Sequence, residues 1–154
     1  MSYSLEAVIG LEPAIRFAAR GREHAVVAEL SHGLALIPLT DRLNAELEQC
    51  FGREADPDFQ GIPLGVPATA RWLREASRSA FLAFICAEFF GGDGYQWAVG
   101  MENGVVVLGF LKAPDAINQV LSLLGVRAHP GTDEFDTVGL GRHRRTARWA
   151  GEPE

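Results

Sequence analysis

Residues 81–111 constrain this chain more than any other segment. An apolar run rich in aromatics (81–90) leads into Gly91-Gly92-Asp93-Gly94, a second run (95–101) into Asn103-Gly104, and a third (105–111) follows. Asn-Gly between apolar runs is the strongest short-range hairpin signal, because both central positions of a type I′ turn need positive φ. The spacing predicts a three-stranded antiparallel meander. A lone hairpin is marginal in water, so the meander must pack its apolar side on other elements.

Register follows from the turns. A two-residue turn at Asn103-Gly104 pairs Glu102 with Val105, Val99 with Leu108 and Trp97 with Phe110. A four-residue loop at 91–94 sets Phe90 opposite Tyr95, Glu88 opposite Trp97 and Cys86 opposite Val99. Side chains alternate between faces. One face then carries Ala83, Ile85, Ala87, Ala98, Gly100, Val107 and Gly109, small enough for a helix to approach closely. The other carries Phe84, Cys86, Glu88, Phe90, Tyr95, Trp97, Val99, Leu108 and Phe110. Glu88 is the one carboxylate on that aromatic face, where an unpaired charge is costly. Three readings stand: a strand-end position that reaches water, an ion pair with an arginine, or a pocket built on Glu88, Tyr95 and Trp97.

The rest of the chain supplies the cover. Residues 3–9 alternate loosely and read as a first strand. Pro13 opens a helix that ends before Gly21, since proline is tolerated in a first turn. Two strands, 25–30 and 34–39, flank the turn Ser31-His32-Gly33. Thr40 caps a helix with Leu43 and Leu47 four apart, which stops at Gly52. Residues 53–66 form a long surface loop bearing Glu54, Asp56 and Asp58. Further helices start at Pro67 and Pro114, and a short terminal helix after the acids Asp133, Glu134 and Asp136 docks through Trp149. The expected fold is α+β, with an antiparallel sheet of about six strands (hairpin plus meander) and helices packed mainly on one face. Residues 1–154 form one domain, as the length implies.

Composition narrows the function. With 20 acidic against 14 basic residues the formal net charge is −6. That balance disfavours nucleic-acid binding, which needs a cationic face. Only Lys112 among the 14 basic residues is lysine, which reads as coding bias. There is no signal-peptide pattern and no apolar run long enough to span a bilayer, so a cytoplasmic protein that engages no membrane is expected. Cys50 and Cys86 lie in different elements, form no metal or redox spacing, and read as reduced thiols.

Catalytic and cofactor motifs fail one by one. Gly91-Gly92-Asp93-Gly94 resembles part of the GGDEF signature of cyclic-dinucleotide cyclases, but Gly94 replaces an acid and Tyr95 the final phenylalanine. The glycines are explained as turn residues. His24, His32, His129 and His143 have no ligand spacing, although His129, Asp133, Asp136 and His143 could in principle gather round a metal. Gly139-Leu140-Gly141 lacks the third glycine of a dinucleotide fingerprint. Arg142, Arg144 and Arg145 form a small basic patch, able to meet a phosphate or to balance the acids at 133–136. No catalytic residue, metal site or cofactor is assigned.

The run Ala87-Glu88-Phe89-Phe90-Gly91-Gly92-Asp93-Gly94-Tyr95-Gln96, with Gly139-Leu140-Gly141-Arg142-His143-Arg144 downstream, is similar to a family of small bacterial proteins of unassigned function. The similarity covers residues from about 25 to 149. In size, acidity and class such proteins resemble the immunity proteins of polymorphic toxin systems, an analogy of class and not of motif. It implies a module, monomeric or homodimeric, that binds a protein partner such as a basic toxin domain. Expected contacts are Glu88, Asp93, Tyr95, Gln96 and Trp97 at the meander, with Glu54, Asp56 and Asp58 from the acidic loop. The competing expectation is a small enzyme or ligand-binding protein with a pocket on the aromatic face near Glu88. A convex acidic patch would favour the first, a deep concave pocket with convergent polar groups the second.

Overall fold

A computed structural model describes residues 2–153. Its six strands are β1 (Ser2–Leu11), β2 (Ala28–Glu29), β3 (Leu34–Pro38), β4 (Leu82–Phe90), β5 (Asp93–Glu102) and β6 (Val105–Lys112). They form one antiparallel sheet in the order β2-β3-β1-β4-β5-β6. Six helices accompany them: α1 (Glu12–Ala19), α2 (Asp41–Phe51), α3 (Ala68–Ala76), α4 (Ala116–Leu123), α5 (Glu134–Val138) and α6 (Thr146–Trp149). The α+β class, the six antiparallel strands and the meander at β4-β5-β6 match the sequence reading.

The helices occupy both faces of the sheet, not mainly one. Val8, Ile37, Phe84, Cys86, Trp97 and Val99 pack against Ile15 of α1, Leu43 and Leu47 of α2, and Trp72 and Leu73 of α3. On the reverse, Leu5, Ala7, Ile9, Ala83, Ile85 and Ala98 meet Ile117, Val120 and Leu121 of α4, with Val138 and Trp149. The reason lies in β1 and β4, the two central strands. Their residues between Ala7 and Ile9 and between Leu82 and Cys86 are all buried, so neither face can be left to water.

Both meander turns are tight. Asn103 and Gly104 have φ of 57° and 74°, and Glu102 pairs with Val105 as expected. The first hairpin turns on Gly91-Gly92 alone, both at positive φ, instead of on a four-residue loop. Phe90 therefore pairs with Asp93, Glu88 with Tyr95 and Cys86 with Trp97. The change of two residues keeps every side chain on its expected face, because strand periodicity is two. Gly94 is needed for the close pairing: a Cβ there would lie 2.2 Å from the Glu88 carbonyl oxygen. Two register shifts in β6, on either side of Gly100, carry Leu108 to the opposite core from the one expected and bring Phe110 back against Trp97.

β3 pairs with β1 only over Ala7 to Leu11, which leaves the first half of β1 with a bare edge. The chain covers it from far away in sequence. The Ser4 amide donates to the Arg144 carbonyl at 2.9 Å, and the Glu6 amide donates to Thr146 Oγ1 at 3.0 Å. Covering an edge removes a pairing hazard. It also sets Arg145 beside the start of β1.

Candidate functional site

Sheet pairing lays three rows across β1, β4 and β5. Glu6, Cys86 and Trp97 form one row, Ser4, Glu88 and Tyr95 the next, and Ser2, Phe90 and Asp93 the last. The face they share is the one packed on α1, α2 and α3, and it runs out from under those helices. Trp97 and Cys86 are 2% and 3% exposed, Tyr95 is 44% and Phe90 78%. A groove of about 700 Å³ opens there, lined by Ser2, Ser4, Glu88, Phe90, Tyr95 and Arg145, with Asp93 at its lip.

Glu88 sits near the end of its strand, half-buried, and accepts a hydrogen bond from Ser4 Oγ at 2.6 Å. No cation among the described residues reaches it. Arg145, which lines the same groove, spends its guanidinium on the Ser2 hydroxyl. Of the three sequence readings, the internal ion pair falls away and the strand-end, groove-lining position remains. Carboxylates crowd this end of the sheet. Burial, then Glu88, then Asp41 hold the Glu6 carboxyl above its ordinary value. Burial, Glu6 and Glu88 push the Cys86 thiol up to about 12, so it stays protonated and unreactive.

The Glu6 shift has a measurable consequence. Between its unfolded value near 4.5 and its raised folded value, the folded chain holds more protons than the unfolded one. Stability therefore falls as pH rises through that window. Glu6→Gln removes the cost: its melting temperature should exceed that of the native chain at pH 7 and show no gain at pH 4. Thermal melts at the two pH values check this.

The structure brings Glu88, Asp93 and Tyr95 together but separates the other expected contacts from them. Trp97 is core, stacked on Phe84 with centroids 4.8 Å apart, so it cannot meet a partner directly. Gln96 points to the reverse face, where its Oε1 accepts from the Ile117 amide at 3.0 Å and ties off the start of α4. Each acid of the loop has an arginine of α3 beside it, and Asp56 is buried in its pair. Arg74 donates to both Asp56 oxygens and to Asp58, and Arg71 lies 3.5 Å from Glu54. Arg74 also donates to the Gly104 carbonyl at 2.8 Å, which places this network at the other end of β5. Nine residue steps of about 3.3 Å put it about 30 Å from Asp93.

Ser2, Ser4, Glu6, Phe90 and Arg145 are the site residues that sequence reasoning did not assign. The apolar run marked Phe90 without distinguishing it from a core residue. The others depend on the pairing of β1 with β4 and with residues 144–146, contacts between distant parts of the chain.

The suspected ligand groups have structural employment. Asp133 caps α5 by accepting from the Asp136 amide, His143 packs edge-on to Trp149, and His129 packs against His32. Among the described residues no group of three or more His, Cys, Asp or Glu could hold a metal ion, and no helix is long and apolar enough to cross a membrane. No family model matches the chain, and no curated protein or solved structure does either.

Proposed function

We propose that the chain is a protein-binding module that neutralises a bacterial toxin domain by occluding it, as immunity proteins do, with the groove at the β4–β5 hairpin as its contact surface. One observation carries the reading. Glu88 lines this groove with no cationic partner among the described residues, between two exposed aromatic side chains, Phe90 and Tyr95. An uncompensated carboxylate flanked by exposed aromatics suits an arginine or lysine presented by a basic surface. The acidic net charge adds steering toward such a partner. The hairpin tip rests on a rigid sheet, a common arrangement for contact residues.

Co-expression tests the reading: the chain is produced with the toxin domain encoded by a neighbouring gene, in a host that the toxin kills. The native chain should restore growth, and Glu88→Gln combined with Phe90→Ala should not. Equal protection by that double variant would contradict the role of the groove. A turnover activity of the purified chain, abolished by Glu88→Gln, would instead establish an enzyme.

A further inference from the structure

We infer that the cleft between the end of α1 and α3 is a second binding site, for a small oxyanion, phosphate or carboxylate, carried on a flat apolar group. Arg20, Arg22 and Arg78 line a cavity of about 270 Å³ there, together with Phe17, Trp72 and Ser79. None of the three arginines has a carboxylate within ion-pair distance among the described residues; Arg127, Arg142, Arg144, Arg145 and Arg148 share that lack, but only Arg20, Arg22 and Arg78 gather round this cavity. Glu75 is the single acid in the lining, against three arginines. In a chain of net charge −6, that local surplus runs against the overall balance.

The competing explanation is that arginines gather where helices end, because helix C-termini carry partial negative charge. Here most of those carbonyls already have donors. The Phe17 and Ala19 carbonyls accept from the Arg20 and Arg22 amides, and the Ala18 carbonyl accepts from the Trp72 indole at 3.2 Å. At the end of α3, the Leu73 and Glu75 carbonyls accept from the Ser77 and Arg78 amides. The guanidinium groups remain free for another anion.

Two of them are also held in place. Arg20 lies over the Phe17 ring at 5.7 Å and Arg22 over the Phe51 ring at 4.9 Å, which reduces the entropy lost when they clamp a ligand. The cleft reaches down to buried Trp72, Ala18 and Ala76. Charge at the rim and apolar surface below select an anion with an apolar body over a bare ion. This site lies on different elements from the hairpin groove and does not depend on its reading.

The test is a titration of the isotope-labelled chain, followed by amide and indole NMR shifts, with phenyl phosphate, benzoate and inorganic phosphate. Saturable shifts are expected at the Trp72 indole and at residues 17–22 and 76–79, with one aryl anion binding at least about tenfold tighter than inorganic phosphate. The tighter of the two aryl ligands identifies the oxyanion. Arg22→Gln and Arg78→Gln should each weaken binding about tenfold, the loss typical of one charged hydrogen bond. Arg127→Gln, outside the cavity, should change nothing. No saturable shift at the Trp72 indole with any of the three probes would overturn the inference. So would equal affinity for all three, or binding unchanged in both cavity variants.

Discussion

Trp97→Ala is expected to lower the melting temperature by about 6–20 °C. The indole is 2% exposed, stacked on Phe84 with an interplanar angle of 17°, and flanked by Phe110 at 5.2 Å. Removing a buried tryptophan costs about 3–5 kcal/mol, through lost transfer energy and the cavity left behind. For a chain of this size each kcal/mol is worth about 2–4 °C. Differential scanning calorimetry reads the effect directly. The variant also separates core from contact surface, because Trp97 shares a sheet face with Tyr95 and stands one row inside it.

The second large effect is expected for Asp56→Ala, at about 2–3 kcal/mol or about 4–12 °C. Asp56 is 8% exposed and holds Arg74 through both oxygens, at 2.9 and 3.2 Å from its donors. It also caps the turn Pro57–Phe59 by accepting from the Asp58 amide. Its loss leaves a partly buried guanidinium short of its bidentate partner and loosens the anchor from Arg74 to Gly104. The Arg74 side chain is 34% exposed, so water offsets part of the cost and the effect stays below that of a fully buried broken pair. Glu54→Ala, whose carboxylate is exposed, should shift the melt by no more than about 1–2 °C.

These two residues mark where local reading reaches its limit. Asn103-Gly104 fixed its own hairpin because the turn chemistry is contained in two residues. Thr40 and Gly52 likewise bounded α2, with the Thr40 hydroxyl accepting from the Leu43 amide. The expected loop at 91–94 differs from the observed Gly91-Gly92 turn by two residues, since Gly91, Gly92 and Gly94 can each supply a turn and the close approach of Gly94 to the Glu88 carbonyl has no mark in the sequence. Faces survived that error in β4 and β5. In β6 a separate cause moved Leu108 to the other face: the bulges against Gly100 have no sequence mark that alternation alone can detect.

The acidic loop shows the same limit in its electrostatics. Glu54, Asp56 and Asp58 look like free charge in a linear sequence, yet each has an arginine of α3 within ion-pair distance, Arg71 for Glu54 and Arg74 for the two aspartates. The reverse holds for Glu88. Its sequence neighbours gave no reason to expect a missing cation, and its single hydrogen-bond partner among the described residues, Ser4, is 84 residues away. Half of the groove was therefore legible, the half drawn from β4 and β5. The half drawn from β1 and Arg145 required the long-range pairing.

The most direct test of the groove compares stability with partner affinity in Phe90→Ala and Tyr95→Ala, using the toxin domain recovered in the co-expression experiment. Phe90 is 78% exposed, so its removal should shift the melting temperature by no more than about 1–2 °C. Tyr95 is 44% exposed and carries the Lys112 ammonium 5.1 Å above its ring, so a slightly larger shift is expected there. If the groove is the contact surface, each substitution should weaken the complex about 30-fold or more, the loss expected of an aromatic hot spot. A melting temperature lowered by several degrees in Phe90→Ala, with affinity unchanged, would contradict the account: the hairpin would then serve the fold and the partner would bind elsewhere.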